Sequence, residues 1–246
     1  MNIAQYLDST YLKTNEQSGL SDDETFSILL NLTDEAIQNS IFAVMIRPKF
    51  VAKIRTYLNE KNSTVQLGTV IGFHEGTNSI DDKLEEAKKA IKDGADELDF
   101  VVNYPAFLEG NLELIKSEII SCTQLCLDNH KIAKWIIEIA ALNNQEIATL
   151  TKLISTTVSE KFPGQENNVF VKSSTGFFVT KNNQPNGATV EGIEIMLKNA
   201  GKLPVKAAGG VRTPQEAVKM IEMGVKRIGT SSALALLQNK SLENGY

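Results

Sequence analysis

Residues 79–102 read SIDDKLEEAKKAIKDGADELDFVV and lay out the plan of the chain: a capped amphipathic helix, a glycine, then a short apolar strand. Ser79 is a candidate N-cap with Asp82 at the third helical position, and Asp81 and Asp82 suit the positive end of the helix dipole. Ile80, Leu84, Ala87 and Ile91 recur at helical spacing and predict one apolar stripe. Gly94 stops the helix, and ELDFVV follows as a strand. The plan returns at 213–230, TPQEAVKMIEMGVKRIGT. There Thr213 caps, Pro214 takes the first helical position, Glu216 completes a capping box and Gly224 ends the helix. EGIEIMLKNAGKLPVKAAGG, residues 191–210, is a third copy. The copies repeat an architecture and share little sequence.

Short apolar runs predict eight strands, at 5–8, 42–46, 66–72, 97–102, 134–138, 169–172, 205–208 and 227–229. Helical patterns separate nearly all of them. Strand and helix in alternation mean a parallel sheet. Eight strands in 246 residues favour a closed (β/α)8 TIM barrel, an α/β fold, over an open sheet. The first strand is not followed by GxGxxG, which weighs against a dinucleotide-binding fold. No composition shift or long linker marks a boundary, so the expectation is a single barrel domain over 1–246. GQENNV, 164–169, reads as a polar loop, and QNKSLENGY, 238–246, as a frayed tail.

Composition narrows the function. A net charge of −5 gives no basic field for nucleic acid, and no Lys/Arg-rich patch with interleaved aromatics is present. An anionic small molecule is still acceptable, since backbone N–H groups can hold a phosphate locally. Cys122 and Cys126, the two cysteines, lie one helical turn apart and are expected on one buried face. With only two histidines in the chain, the sequence offers no zinc-ligand cluster. The N-terminus MNIAQYLDST lacks the basic and apolar regions of a signal peptide. No apolar run reaches the roughly 18 residues of a membrane span. The expected compartment is the cytosol, with no membrane and no metal.

In a barrel the C-terminal ends of the strands share one face, where active sites are built. Reading those ends places Asp8 (YLDST), Asp99 (ELDFVV), Lys172 (FVKSSTG) and Lys206 (VKAAGG) at one mouth. A lone strand-end lysine is ordinarily a salt-bridge partner whose charge reaches water. Two of them beside two acids suggest chemistry. A lysine attacks a carbonyl only as the neutral amine, whereas its usual pKa of about 10.4 keeps it protonated at neutral pH. Burial and a neighbouring ammonium both lower that value, so one lysine can be the nucleophile while the other depresses it. The residues alone leave open which is which. Asp99 is suited to relay protons through water as the carbinolamine forms and dehydrates.

The glycine-rich segments AAGGVRTP and IGTSSALALL follow the last two strands, where barrels often bind phosphate. Gly209 and Gly210 would let backbone amides approach an anion. Ser231 and Ser232 would add hydroxyls and the first amides of a helix. The plainer alternative is a tight turn and a helix cap.

FVKSSTGF, KAAGGVRT, GADELDFVVN and LDSTYL together resemble deoxyribose-phosphate aldolase, a class I (Schiff-base) aldolase family of barrel fold. The resemblance runs from about Tyr6 to about Leu236. It implies that Lys172 forms the Schiff base, Lys206 perturbs it and Asp99 relays protons. Asp8 and Thr175 would support the site. Gly176, Gly209, Gly210, Gly229, Ser231 and Ser232 would form the phosphate pocket. The implied reaction is reversible cleavage of 2-deoxy-D-ribose 5-phosphate to acetaldehyde and D-glyceraldehyde 3-phosphate, without metal or organic cofactor, in a homodimer. Four positions depart from the family pattern. Met45 stands where many members carry cysteine, His74 where proline is usual, and Ile139 where a small polar residue is common. Phe177 follows SSTG where some members have a lysine that helps hold phosphate.

Overall fold

In the computed structural model, which describes residues 2–181 and 184–238, eight parallel strands close into a barrel in sequence order. They are β1 (Leu7–Tyr11), β2 (Ala43–Ile46), β3 (Gln66–Ile71), β4 (Glu97–Val101), β5 (Ile132–Ile136), β6 (Val169–Lys172), β7 (Val205–Ala208) and β8 (Arg227–Thr230). Closure is made by β1 against β8, with Leu7 opposite Ile228 and Ser9 opposite Thr230. Helices follow every strand, among them Asp22–Gln38, Ile80–Lys92, Leu112–Asp128 and Asn144–Lys161. None of the described helices is long and apolar enough to cross a membrane. Of the predicted tail at 238–246, all but Gln238 lies outside the described residues.

Alternation along the strands sorts the side chains into two environments. Leu98 and Phe100 of β4, Ala133 and Trp135 of β5, Val205 and Ala207 of β7, and Ile228 of β8 all join the core shared with the helices. The residues between them turn into the barrel: Glu97 and Asp99, Lys134, Lys206, and Arg227. All five are buried. The outer faces hold the helices on, and the lumen carries the charge.

The strand boundaries shift where the lumen is polar. β1 runs Leu7–Tyr11 and not 5–8, because Ile3–Tyr6 form a 3-10 turn and the strand continues through Asp8, Ser9 and Thr10. β5 starts two residues before the expected 134 and ends two before 138, since Glu138 has a left-handed backbone. A search for apolar runs cannot follow a strand whose alternate residues are charged.

The helix signals are accurate at the caps. Ser79 accepts from the Asp82 amide at 3.1 Å. Thr213 and Glu216 form the expected capping box, and Gly224 closes that helix at φ 113°. The buried face of Ile80–Lys92, however, is Lys83, Ala87 and Ala90; Ile80, Leu84 and Ile91 are only half-buried. Lys83 goes inward because its ammonium reaches the carbonyls of Gly76 (2.6 Å) and Val101 (2.7 Å) and pairs with the buried Glu118 carboxylate. Cys122 and Cys126 are buried on one face of Leu112–Asp128 as expected, and burial pushes the Cys122 thiol up to about 12.

Candidate active site

Within the lumen, side chains of β1, β4, β5, β6, β7 and β8 meet in one charged layer. Asp99 is its centre. Its Oδ1 accepts from Lys134 Nζ, and its Oδ2 from both Lys172 Nζ and Lys206 Nζ, each at 2.8 Å. Lys206 also pairs with Asp8 Oδ2 at 2.6 Å, and Lys134 with Glu97 Oε2 at 2.6 Å. Below them Arg227 grips Glu97 through Nη1 and Nη2 at 2.9 Å each, and Asp8 through Nε at 2.7 Å. Buried charges persist only when paired and hydrogen-bonded, and here they are. Gly229 makes room for this layer: a Cβ there would lie 3.2 Å from Lys206 Cε and 3.3 Å from Ala208 Cβ.

The layer holds four cations against three carboxylates, so one proton is in surplus. Geometry shows where it is least firmly held. Lys134 faces Asp99, Glu97 and, at 4.0 Å, Asp8. Burial works against its charge, but these carboxylates outweigh burial and hold its pKa above the usual lysine range. Among the described residues Lys172 has one carboxylate partner, Asp99, which it shares. Its pKa is lowered to about 8, first by burial and next by the ammonium groups of Lys206 and Lys134, which together outweigh the pull of Asp99. Burial would raise the two aspartates. Their cationic neighbours reverse this, holding Asp8 at about 2 and Asp99 well below the usual carboxylate range.

Lys172 ends β6 and opens into a cavity, with Thr175, Gly176 and Phe177 on one side. Gly209, Gly210 and Arg212 line it after β7, and Gly229, Ser231 and Ser232 after β8. Every pocket residue predicted from sequence therefore faces the same space as Lys172. Gly209 and Gly210 have φ of 73° and 77°, and the Cα of Gly187 packs against Gly209, so a side chain there would be strained as well as crowded.

Other expectations are corrected. Asp8, Asp99 and Lys206 are not at strand ends but inside their strands, in the charged layer that Lys172 joins from the end of β6. Ser231 and Ser232 precede a helix of only five residues, Ala233–Leu237, and the Ser232 amide already donates to Thr230 Oγ1 at 3.0 Å. A strong helix-terminus contribution is therefore absent there. His74 lies in a loop, as its sequence position suggests, and does not line the cavity. It stacks on Phe177, with ring centroids 5.8 Å apart, while Phe73 meets Phe177 edge-on at 5.3 Å.

Lys134, Glu97, Arg227, Glu138 and Arg212 escaped the sequence reading. Lys134 carried the signal that exposed Lys172, a lysine inside an apolar run, KIAKWII. Glu97 and Arg227 are the first residues of their predicted strands, and nothing local marks them as inward-facing. Among the described residues no group of three His, Cys, Asp or Glu could hold a metal ion.

A model of the DeoC/LacD family of aldolases matches residues 14–239. The chain is 38% identical over 237 residues to the deoxyribose-phosphate aldolase of Caldicellulosiruptor saccharolyticus, covering 96% of each protein. It is 38% identical over 239 residues to that of Thermococcus gammatolerans, covering 97% of this chain and 96% of the other. Among solved structures, the tetrameric deoxyribose phosphate aldolase of Aeropyrum pernix superposes with a TM-score of 0.77 at 26% identity, covering 96% of this chain and 89% of that one.

Proposed function

From a chain that belongs to the DeoC/LacD aldolase family, we infer a class I aldolase that reversibly cleaves 2-deoxy-D-ribose 5-phosphate to acetaldehyde and D-glyceraldehyde 3-phosphate. The observation that carries the reading is Lys172: a buried amine at the cavity with its pKa lowered to about 8, beside the glycines and serines suited to an anion.

In the cleavage direction the neutral Lys172 amine adds to the C1 aldehyde of the open-chain sugar. Loss of water gives the protonated imine. The C3 hydroxyl then gives up its proton, the C2–C3 bond breaks, and the electron pair moves onto the iminium nitrogen as an enamine. Glyceraldehyde 3-phosphate leaves, the enamine takes a proton at C2, and water releases acetaldehyde. The nitrogen is the electron sink throughout. Asp99 stays ionised under its three ammonium partners, so it orients the Lys172 amine and passes protons between the lysines and pocket water without retaining one. Lys206 keeps Lys172 poised to lose its proton. Asp8 holds Lys206, and Thr175 shapes the cavity wall. Gly176, Gly209, Gly210, Gly229, Ser231 and Ser232 hold the phosphate, chiefly through backbone amides and hydroxyls. The enzyme is expected to act in the cytosol as a single-domain protein; two copies per assembly is the expectation for light scattering to test.

Release of acetaldehyde from 2-deoxyribose 5-phosphate, followed by coupled reduction, tests the reaction. Borohydride with acetaldehyde should leave an ethyl group on Lys172, and Lys172→Arg should abolish it, because a guanidinium stays protonated. No acetaldehyde release, or an adduct confined to other lysines, rejects the reading.

A further inference from the structure

Glu138 sits just beyond β5 and takes no part in the chemistry above. Its backbone is left-handed, φ 55° and ψ 68°, a conformation that costs a non-glycine residue energy and calls for a reason. The ladder to the next strand imposes it: the Ile137 amide donates to Lys172 O at 3.0 Å and the Ile139 amide to Ser173 O at 2.9 Å. Glu138 is thereby turned inward between two residues tied to the segment that carries Lys172. The side chain is buried, 1% exposed. Oε2 accepts from the Thr175 amide at 3.1 Å and from the Thr175 hydroxyl. The same hydroxyl oxygen accepts from the Phe177 amide at 3.0 Å. Glu138 Oε1 is buried and has no hydrogen-bond partner among the described residues. Asn186 Nδ2 holds the other side of the turn through Gly176 O at 3.1 Å.

We propose that Glu138 is a positioning residue: through Thr175 it fixes the Thr175–Phe177 turn that forms one wall of the cavity, and so sets how the phosphorylated part of the substrate is held. The inference rests on the aldolase reading. Burial, the largest influence, raises the Glu138 pKa to about 7; the Thr175 bonds and the Lys172 charge only partly offset it. The titratable groups facing it are Lys172 and Tyr104, and Glu75 in turn faces Tyr104. Ionised Glu138 accepts charge-assisted bonds from Thr175 and clamps the turn more tightly than the neutral acid does. The clamp therefore strengthens as pH rises through about 7.

Three variants test this, with 2-deoxyribose 5-phosphate as substrate and acetaldehyde as a probe of Lys172 alone. Glu138→Ala should raise KM by about tenfold or more, the worth of a charge-assisted hydrogen bond, while borohydride trapping of acetaldehyde at Lys172 persists. Glu138→Gln, which keeps an acceptor oxygen, should bring KM back to within about threefold of wild type. It should also lose the pH response: the wild-type to Gln ratio of kcat/KM should rise with an inflection near pH 7. Phosphate ionisation is common to both proteins and cancels in that ratio. Thr175→Val removes the hydroxyl bond of the same clamp while the Thr175 amide still donates to Glu138. It should raise KM in the same direction as Glu138→Ala but by less, and the double variant should add nothing beyond Glu138→Ala. A flat ratio across pH 5.5–8.5, or additive effects of the two single changes, overturns the proposal. Wild-type protein that releases no acetaldehyde would instead reject the aldolase reading, so the two failures are distinguishable.

Discussion

Lys172 and Lys206 lie opposite each other on β6 and β7, and both donate to the same oxygen, Asp99 Oδ2, at 2.8 Å. Their nitrogens are therefore no further apart than twice that distance. Among the described residues Lys206 has a second carboxylate partner, Asp8, and Lys172 does not. The asymmetry makes Lys172 the one to surrender a proton.

Replacing Lys206 with Leu removes the ammonium that disfavours charge on Lys172 and frees Asp99 to attract it more strongly. Both effects raise the Lys172 pKa. The rising limb of kcat/KM should move to higher pH by on the order of one unit, with part of the lost rate recovered there. A pH–rate profile matching wild type at near-normal rate would reduce Lys206 to a structural role.

Lys134 is buried and bonded to Glu97 and Asp99. Lys134→Met strands those carboxylates with fewer cations, and breaking such a pair costs about 3 kcal/mol. Urea denaturation should show a loss of that order. Adding Glu97→Gln should not return that loss, because Arg227 then loses the carboxylate it holds through Nη1 and Nη2. Equal midpoints for wild type and Lys134→Met would show that Arg227, Lys172 and Lys206 suffice to hold the layer.

Acid should unfold the barrel through its lumen. Asp8 falls from an ordinary 3.8 to about 2 on folding, and Asp99 moves in the same direction. A depressed carboxylate contributes stability fully present above the unfolded value and lost as pH falls through the folded one. The urea midpoint should decline between about pH 4 and pH 2, and Asp8→Asn should flatten part of the decline. An Asp8→Asn curve parallel to wild type would place the acid sensitivity elsewhere.

On the proposed reading, phosphate must be held without the lysine that some members carry, since Phe177 cannot donate to an oxyanion through its side chain. Backbone amides, Ser231, Ser232 and the cavity-lining Arg212 remain. Unphosphorylated 2-deoxyribose should have a kcat/KM at least about tenfold lower than the 5-phosphate, the loss of one or more charge-assisted bonds. Ser231→Asp sets a like charge against the phosphate and should narrow or reverse that preference, while acetaldehyde still traps at Lys172. Equal cleavage of the two sugars by wild type would show that the cavity does not read phosphate.

Local signals in the sequence determined the barrel. Caps at Ser79 and Thr213, the stop at Gly224 and eight short apolar runs are contained within a few residues each, and helix and strand alternation leaves few ways to fold them. The segment FVKSSTG and the glycine pair 209–210 also announced the cavity, because a lysine in an apolar run and paired glycines are unusual wherever the chain goes. Tertiary structure alone decided the charge balance. Asp8 and Arg227 are separated by nearly the whole chain, and only closure of β1 on β8 brings them into contact. Lys83 sits in a polar helical stretch and Lys134 in an apolar run, yet both are buried, one anchoring a helix and the other completing the lumen. Glu138 reads as the ordinary polar end of a predicted strand, and the backbone ladder on either side turns it inward. Pairing partners far apart in the chain set a buried charge's cost and its pKa, so no single stretch could reveal which lysine would be free to react.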